Sequence, residues 1–335
     1  MTDVNLLIGK NASGKSTVLE AIYVASARIS PTDQINEARK LDYVFRRRTG
    51  RGCWSTSRDT PWFLMDIDEP IEIHVSSTGN RELLFALFHT DSEGKAWIRV
   101  IDDHETFYWN YHSNQVMERW KPNLVYSTLP PLKLKEIKHK YADMANILSN
   151  VVLIDKWLLF RPNLIEHQIW GKLLAKRLDK KITELLRKEF ERDAEDLTYM
   201  PIGGMNVLAV KLSDTTVRVD DLGDGARNAV LIAAILLTLR NTIVLFEEPE
   251  IHQHSAGLRV LLDFMIRVAK EKGLQLIISA HSAELVEMFK RICDSYNVNM
   301  RAFFLKRNKK GFVNCLLYTS PSPRDLSTSR MPSSA

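Results

Sequence analysis

Apolar and polar positions along the chain predict strands that alternate with helices. Asn5 to Ile8 is the short apolar run that a buried strand requires, and Ser16 to Arg28 alternates apolar and polar residues at helical spacing. Further apolar strands are predicted at Ile243 to Phe246 and from Leu274 onward. The sequence therefore predicts an α/β fold, with helices that flank a mixed sheet.

The middle of the chain follows two other patterns. Strand-like segments at Ile71–Ser76, Arg81–His89 and Lys95–Ile101, with turn sequences between them, predict an antiparallel meander of three strands. Residues 133–150 and 163–195 are highly charged and carry apolar residues at three- and four-residue spacing. Such spacing is typical of amphipathic helices, so we expect a compact helical insertion.

These patterns divide the chain into five segments. The two parts of the α/β lobe are expected at residues 1–70 and 196–314, the meander at 71–110, the helical insertion at 111–195 and a tail at 315–335. The second part of the lobe opens with two predicted strands, "MNVLAVKL" and "TTVRV".

The tail has an unusual sequence. It is rich in Ser and Pro and has no periodic apolar face after Tyr318, which by composition predicts a disordered terminus. Cys315–Asp325 also resembles the translation of a sequencing-library transposase adapter, and Ser329–Ala335 resembles the flow-cell end of the same adapter. We therefore expect a non-native tail, and a natural protein that continues beyond Asn314.

Composition narrows the class of protein. The chain has 335 residues of which 45% are hydrophobic, enough for a sizeable core. The longest apolar stretch, Ala229 to Leu239, is too short to span a bilayer, and no signal peptide is visible. Three scattered cysteines fit neither a disulfide framework nor a zinc site. We expect a cytoplasmic protein with no membrane partner.

The charge of the chain is a mild indication of nucleic acid. The formal net charge is +5, and Arg39 to Arg58 holds seven basic residues against one acid, Asp42. This stretch includes "RRRTGR", Arg46 to Arg51. A solvated loop and a loop that contacts DNA phosphates explain it equally well.

A phosphate-binding loop stands near the amino terminus, in "LLIGKNASGKST". Gly9, Gly14, Lys15 and Ser16 fit the pattern G-x-x-x-x-G-K-[ST] between a strand and a helix. The glycines let backbone N–H groups face an anion, and the helix N-terminus adds its dipole. Lys15 is expected to reach the β- and γ-phosphates, and the Ser16 hydroxyl to hold Mg²⁺. The predicted nucleotide-binding residues are Gly9, Asn11, Ala12, Ser13, Gly14, Lys15, Ser16 and Thr17.

Acids and a histidine follow two later strands. The strand Ile243–Phe246 ends in Glu247 and Glu248, where a parallel sheet would present them to the metal and the attacking water. We expect Glu247 to hold Mg²⁺ and Glu248 to polarise the water. His281 follows the next strand, and a neutral imidazole there can sense the γ-phosphate. Solvated acids and a surface histidine are the alternatives.

At these residues the chain resembles the ABC-type ATPases, and within them the soluble group that includes SMC-like proteins and the overcoming-lysogenization-defect (OLD) family. "GKNASGKS" is similar to Walker A, and "VLFEEPE" to Walker B with Glu248 as the catalytic glutamate. "EIHQH" stands at the D-loop, and "SAHS" carries the switch histidine, His281. "LGDGAR" stands at the signature motif, with Gly223 and Gly225.

The resemblance implies a fold, cofactors and partners. The fold is that of a P-loop NTPase of the ABC-ATPase type, and the cofactors are ATP and Mg²⁺. The implied partner is a second copy of the chain, whose signature motif would close over the nucleotide in an ATP sandwich. The work of such a dimer is expected on another macromolecule, with DNA as the candidate.

The chain departs from the family pattern at several places. Its signature reads LGDGA rather than LSGGQ, which points away from transporters, and Glu247 replaces the usual aspartate. The strands that usually precede Walker A are absent, so we expect a truncated or misassigned start. Gln34 is a candidate for the Q-loop glutamine.

Other functions stay open. The chain can be the ATPase part of a truncated OLD-like nuclease, whose metal domain would follow residue 314, or a non-hydrolysing ATP-gated interaction module. A transporter subunit fits least well. His252 and His254 form a possible metal pair, and "FYWNYH", Phe107 to His112, can stack on bases or pack in a core.

Overall fold

The computed structural model describes residues 3–27, 30, 32–33, 35–49, 71–76, 82–88, 97–102, 105–110, 116–117, 148 and 150–318. Its strands are β1 (Val4–Ile8), β2 (Thr32–Asp33), β3 (Ala38–Arg39), β4 (Ile71–Ser76), β5 (Glu82–Phe88), β6 (Trp97–Asp102), β7 (Glu105–Asn110), β8 (Val116–Met117), β9 (Val152–Ile154), β10 (Asp196–Ile202), β11 (Met205–Lys211), β12 (Thr216–Arg218), β13 (Ile243–Glu247), β14 (Gln275–Ala280), β15 (Met300–Arg307) and β16 (Val313–Tyr318). Its helices are α1 (Lys15–Ser26), α2 (Lys40–Thr49), α3 (Lys156–Leu159), α4 (Pro162–Ala175), α5 (Asp179–Glu189), α6 (Asp224–Thr238), α7 (Ser255–Lys272) and α8 (Ala283–Ser295).

Parallel strands buried on both faces form the centre of the molecule. The sheet has the order β16-β15-β1-β14-β13-β9, in which only β16 runs antiparallel to its neighbour. Alternate side chains enter two cores: Leu6 and Phe246 pack with α4 to α8, whereas Leu7 and Leu245 pack with α1 and α2. Because helices cover both faces, β1, β9, β13 and β14 are mostly apolar, whereas β15 also carries exposed basic residues. The predicted α/β fold with a mixed sheet is confirmed.

The strand register brings three loops to one edge of this sheet. Ile8 at the end of β1 pairs with Ala280 at the end of β14, and Glu247 at the end of β13 pairs with Ser279. Since β14 lies between β1 and β13, the residue that follows β14 lies between the loops that follow the other two. The segments predicted to hold phosphate, water and metal therefore meet at the carboxyl edge of the sheet.

The predicted meander forms a separate antiparallel sheet with more strands than expected. Its order is β4-β5-β6-β7-β8, so the three predicted strands are joined by β7 and β8. The aromatic run at Phe107 enters β7, where Tyr108 pairs with Arg99 in register. Tyr111 and His112 lie outside the described residues. A role in base stacking stays a prediction.

The predicted helical insertion also contributes a strand. Val152–Ile154 forms β9, which pairs with β13 at the edge of the central sheet. This strand was not predicted, because its apolar run lies between two helix-like regions of the sequence. The helices α4 and α5 occupy residues 162–189 apart from the short break between them, whereas of residues 133–150 only 148 and 150 are described. The division into domains stays a prediction.

The chain continues in ordered strand past the predicted start of the tail. Val313–Tyr318 forms β16, which pairs with β15 and includes residues 315–318 of that tail. Leu316 and Leu317 are each 58% exposed, so this edge strand is only lightly packed. Residues 319–335 lie outside the described part of the chain. Within the part that is described, no helix combines the length and the apolar character needed to cross a bilayer.

Candidate functional site

The loop between β1 and α1 has the conformation of an anion cradle. Gly14 has φ 95°, a left-handed conformation that favours glycine. A Cβ atom at Gly9 would lie 2.5 Å from the carbonyl oxygen of Leu305, so the loop passes too close to β15 for a larger residue. The Ser13 hydroxyl is buried and has no hydrogen-bond partner among the described residues. The loop therefore holds polar groups that a bound anion would satisfy.

Lys15 points back into this loop. Its Nζ atom donates hydrogen bonds to the carbonyl oxygens of Gly9, at 2.8 Å, and Lys10, at 3.2 Å. Burial lowers the pKa of Lys15, and the charges of Glu248, Glu250 and Glu247 offset part of this effect. A phosphate in the loop would stabilise the charged form of this lysine.

A chain of polar contacts joins the ends of three neighbouring strands. The Nδ1 atom of His281 lies 3.4 Å from Lys15 Nζ, and its Nε2 atom contacts Glu248 Oε1. If Lys15 donates to Nδ1, the ring proton lies on Nε2 and is donated to Glu248. Glu248 has φ 54°, and its N–H donates to the carbonyl of Ser279 at 3.1 Å. The predicted catalytic residues Glu248 and His281 thus lie together, beside the predicted phosphate-binding lysine.

Glu250 holds the loop of His281, a role that was not predicted from the sequence. The backbone N–H of His281 donates to Glu250 Oε1 at 3.1 Å. Burial raises the pKa of Glu250, while hydrogen bonds from its own N–H and from that of His281 lower it. A third acid two residues after Glu248 was the available signal, since a short turn returns it to the same edge of the sheet.

Arg47 joins three acidic side chains from different elements. Its guanidinium lies 3.1 Å from Glu20 Oε1 and 2.9 Å from Asp155 Oδ2, and it also forms an ion pair with Glu247. The side chains of Arg47 and Glu247 are 10% exposed and that of Asp155 is fully buried. Arg47 is therefore the counter-ion of the acid that was predicted to hold Mg²⁺.

This ion-pair cluster corrects the interpretation of "RRRTGR". Arg47 is buried within the cluster, so it is not the solvated or DNA-contacting side chain that the local sequence predicted, whereas Arg48 pairs with Glu20 and keeps 31% of its side chain exposed. Arg46 is exposed, and Gly50 and Arg51 lie outside the described residues. Burial alone would lower the pKa of Arg47, but the charges of the three carboxylates outweigh it and raise that pKa.

We predict that Arg47→Met lowers the free energy of unfolding by about 3 kcal/mol or more, because it leaves three carboxylates without their shared cation in a buried site. Urea denaturation measures this loss. Arg46→Met is the matched control, since Arg46 is the exposed neighbour in the same helix and should change stability by less than about 0.5 kcal/mol. Equal stability of the two variants would contradict a buried role for Arg47.

The residues predicted for Mg²⁺ have suitable chemistry. Ser16 and Glu247 offer the oxygen ligands that Mg²⁺ prefers, and a nucleotide-bound ion needs only one or two protein ligands besides phosphates. No group of three or more His, Cys, Asp or Glu among the described residues can hold a metal by itself. The unpartnered Ser13 hydroxyl and the polar loop beside it fit a ligand that brings its own phosphate oxygens.

The predicted signature segment lies at the exposed start of α6. Gly223 precedes the helix, and the carbonyl of Gly225 accepts a hydrogen bond from Gln253 Nε2 at 2.8 Å. A Cβ atom at Gly225 would lie 2.9 Å from the carbonyl oxygen of His252, so the segment packs tightly on the predicted D-loop of the same chain. Among the described residues, no hydrogen bond or ion pair links this segment to the phosphate-binding loop.

The other predicted site residues have separate places. His254 caps α7 by accepting the N–H of Gly257 at 3.3 Å, and His252 Nδ1 lies 3.7 Å from Asp224. These contacts favour structural roles over a metal pair. Gln34, the Q-loop candidate, lies outside the described residues.

One family model matches most of the chain. Residues 4–287 match the family described as "AAA domain, putative AbiEii toxin, Type IV TA system". The chain is also similar to "Uncharacterized protein MJECL11" of Methanocaldococcus jannaschii, with 20% identity over 95 residues, which are 28% of this chain and 83% of that protein.

Among solved structures, the chain is similar to the "SMC head domain from Thermotoga maritima", with a TM-score of 0.44 and 11% identity over 94% of this chain and 90% of that chain. It is also similar to the structure entitled "Crystal structure of the SmcHead bound to the C-winged helix domain of ScpA", with a TM-score of 0.47 and 15% identity over the same shares of the two chains.

Proposed function

Because the chain belongs to the AAA-domain family that its residues 4–287 match, we propose that it binds Mg-ATP between two copies of itself and hydrolyses it there. The observation that carries this proposal is the polar chain Lys15–His281–Glu248 at the carboxyl edge of the sheet. Lys15 would bind phosphate and Glu248 would activate water, and His281 lies between them in contact with both. The groups that phosphoryl transfer to water requires therefore lie side by side.

The chain's own residues divide the work of binding. Backbone N–H groups between Gly9 and Thr17 face the phosphates, and Lys15 Nζ exchanges its two carbonyl partners for phosphate oxygens. Ser16 and Glu247 would hold Mg²⁺, and Arg47 orients Glu247 from behind. The metal supplies neutralisation of charge that develops on the β- and γ-phosphates.

Hydrolysis requires a water that is poised opposite the γ-phosphate. Glu248 accepts a proton from that water while the water oxygen attacks the γ-phosphorus. The bond between the γ-phosphorus and the oxygen that bridges it to the β-phosphate breaks, which leaves ADP and phosphate. His281 contacts both Lys15 and Glu248, so its ring can report the presence of the γ-phosphate to the carboxylate. Glu250 keeps the His281 loop in place.

The second copy completes the site. In one chain the start of α6, with Gly223 and Gly225, is turned toward the predicted D-loop rather than bonded to the phosphate-binding loop. An exposed helix N-terminus is a ready site for anions, and it would meet the γ-phosphate bound to a partner. ATP would then join two copies, and its hydrolysis would release them.

The change between the ATP-bound dimer and the separated copies would act on another macromolecule. DNA is the proposed partner, supported by the formal net charge of +5 and by the cations that remain exposed after Arg47 and Arg48 are accounted for.

A mixing experiment tests whether the site is shared between copies. We expect Lys15→Ala to disable the phosphate-binding loop and Asp224→Trp to block the exposed start of α6, so that each variant alone has no turnover. Mixed dimers contain one site with an intact loop from one copy and an intact signature from the other. Turnover should therefore return on mixing, and gel filtration should show dimers only with ATP.

Asp224→Trp needs a folding control, and three results would contradict a shared site. Asp224 is 65% exposed, so Asp224→Trp should leave the circular dichroism spectrum and the unfolding midpoint unchanged. If the mixture stays inactive, or if dimers form equally well without nucleotide, the sandwich is the wrong arrangement. Turnover by Asp224→Trp alone would equally contradict it.

A further inference from the structure

A cavity with a strongly basic lining lies at the opposite edge of the central sheet. It is lined near the starts of β9, β13 and β14 by Asn150, Leu239 and Lys272, whereas the nucleotide site lies at the carboxyl ends of the strands. Its volume is about 530 Å³, which is in the range of small-molecule sites. We call it the basic cavity. Its cationic lining residues are Lys40, Lys172, Lys176, Arg240 and Lys272.

Acidic side chains do not balance these cations. Asp33 is the one acid among the described lining residues, and its carboxylate already accepts hydrogen bonds from Tyr23, at 2.7 Å, and from the N–H of Ile35, at 2.8 Å. The nearby Glu271 is engaged by Lys181 at 2.7 Å and by Arg267 at 3.8 Å. The five cations therefore outnumber the single acid of the described lining, and the cavity carries a net positive charge.

This arrangement lowers the pKa values of two lysines in the cavity. Lys40 is 1% exposed and its Nζ atom donates to Ser26 Oγ at 2.7 Å. Burial lowers the pKa of Lys40 to about 8, although the charge of Asp33 acts to raise it. Burial and the charges of Arg240 and Lys181 lower the pKa of Lys272. A bound anion would offset the cost of burying these charges and would reduce their mutual repulsion.

A second cavity of the same protein shows that such crowding is not a general property of its surface. This cavity, which we call the balanced cavity, lies between α5, α7 and α8. Its charged lining residues are three cations, Lys188, Arg259 and Arg291, and three acids, Asp263, Glu284 and Glu287. Lys188 Nζ lies 3.9 Å from Asp263 Oδ2. Here the charges cancel, and no anion is needed.

We propose that the basic cavity binds the phosphate groups of a second anionic ligand, separately from the nucleotide site. Several ammonium and guanidinium groups that line one cavity with a single carboxylate suit phosphate oxygens, which accept several charge-assisted hydrogen bonds at once. The phosphates can come from a small polyphosphate-bearing molecule or from the backbone of a nucleic acid strand. The site does not rest on ATP hydrolysis, because none of its residues belongs to the nucleotide site.

The experiment uses the full chain with Lys15→Ala, so that phosphate cannot bind strongly at the nucleotide site. Calorimetric titration with inorganic tripolyphosphate, and separately with a mixed-sequence single-stranded oligonucleotide, should show binding by at least one of them. The affinity should fall on the order of tenfold or more when three exposed cations are removed. The variant that removes them is Lys172→Ala, Lys176→Ala and Arg240→Ala together.

The balanced cavity supplies the matched control. Lys188→Ala, Arg259→Ala and Arg291→Ala together remove the same charge from a cavity of similar size, and the affinity should stay within about twofold, because acids already neutralise that site. Lys40→Met should weaken binding on the order of tenfold; because it also removes the hydrogen bond to Ser26 Oγ, the affinity is measured at a temperature at which circular dichroism shows the variant to be folded. The two ligands distinguish the sources: tripolyphosphate alone indicates a small molecule, and the oligonucleotide alone indicates nucleic acid.

Three results would overturn the proposal. They are the absence of binding by both ligands, an equal loss of affinity in the two triple variants, and an unchanged affinity in Lys40→Met. Failure of the nucleotide-site proposal looks different, because it would appear as ATP turnover that survives Lys15→Ala while the basic cavity still responds to its own variants.

Discussion

Replacing Glu248 with glutamine is expected to reduce ATP turnover by about 10²–10³-fold, because glutamine cannot take a proton from the attacking water. The carboxylate lies at the end of β13 and contacts His281 Nε2. Glutamine has nearly the same shape and keeps an oxygen that accepts a hydrogen bond, so ATP binding should persist. The bound nucleotide would then hold the two copies together, and dimers should accumulate in gel filtration with ATP.

The control for this prediction makes the same chemical change elsewhere. Glu284 is an exposed acid in the first turn of α8, and Glu284→Gln should leave both turnover and the dimer unchanged. Turnover by Glu248→Gln above about a tenth of the wild-type rate would rule out this carboxylate as the general base. Loss of ATP binding in the same variant would instead give Glu248 a role in the binding step.

The parts of the site that follow strands could be predicted from the sequence. Gly14, Glu248 and His281 each come soon after an apolar run, and parallel strands deliver such residues to one edge of the sheet. The contact of His281 with both Lys15 and Glu248 could not be predicted in this way. It depends on β14 lying between β1 and β13, and strand order is a property of the whole sheet.

Arg47 shows why local charge was misleading. Seven basic residues in a short stretch indicated a solvated or DNA-contacting loop, but helix α2 turns Arg47 inward. Its partners Glu20, Asp155 and Glu247 are distant from it and from one another in the sequence. Each partner alone looked like an ordinary polar position. Only the packing of α1, α2 and the central sheet brings the four charges together.

The same packing bears on the unusual acid of the Walker B segment. Glu247 has one methylene more than the aspartate that the family resemblance leads one to expect. Arg47 engages its carboxylate from the side of Asp155 and Glu20, which fixes the longer side chain within a buried cluster. We infer that the arginine and the longer acid form one unit, in which the cation limits the freedom that the extra methylene adds.

Lys15→Ala is expected to weaken ATP binding by about 10²-fold or more and to abolish turnover. The lysine is the one side chain of the loop that brings a positive charge to the β- and γ-phosphates, and charge-assisted bonds to phosphate are strong in a partly buried site. Fluorescent-nucleotide titration measures the affinity, and phosphate release measures the turnover. Lys10→Ala is the matched control, since Lys10 is an exposed lysine of the same loop that contributes only its carbonyl oxygen.

The unfolding temperature of Lys15→Ala tests whether Lys15 binds phosphate or supports the fold. Because burial lowers the pKa of Lys15, the folded chain binds this proton less tightly than the unfolded chain does, so the charge opposes folding at neutral pH. Lys15→Ala should therefore unfold at the same temperature as wild type or at a higher one in the absence of nucleotide, and ATP should raise that temperature much less than it does in wild type. A variant that melts early and still gains stability from ATP would show that Lys15 supports the fold rather than the phosphate. Turnover that survives in Lys15→Ala would remove the nucleotide site from this edge of the sheet altogether.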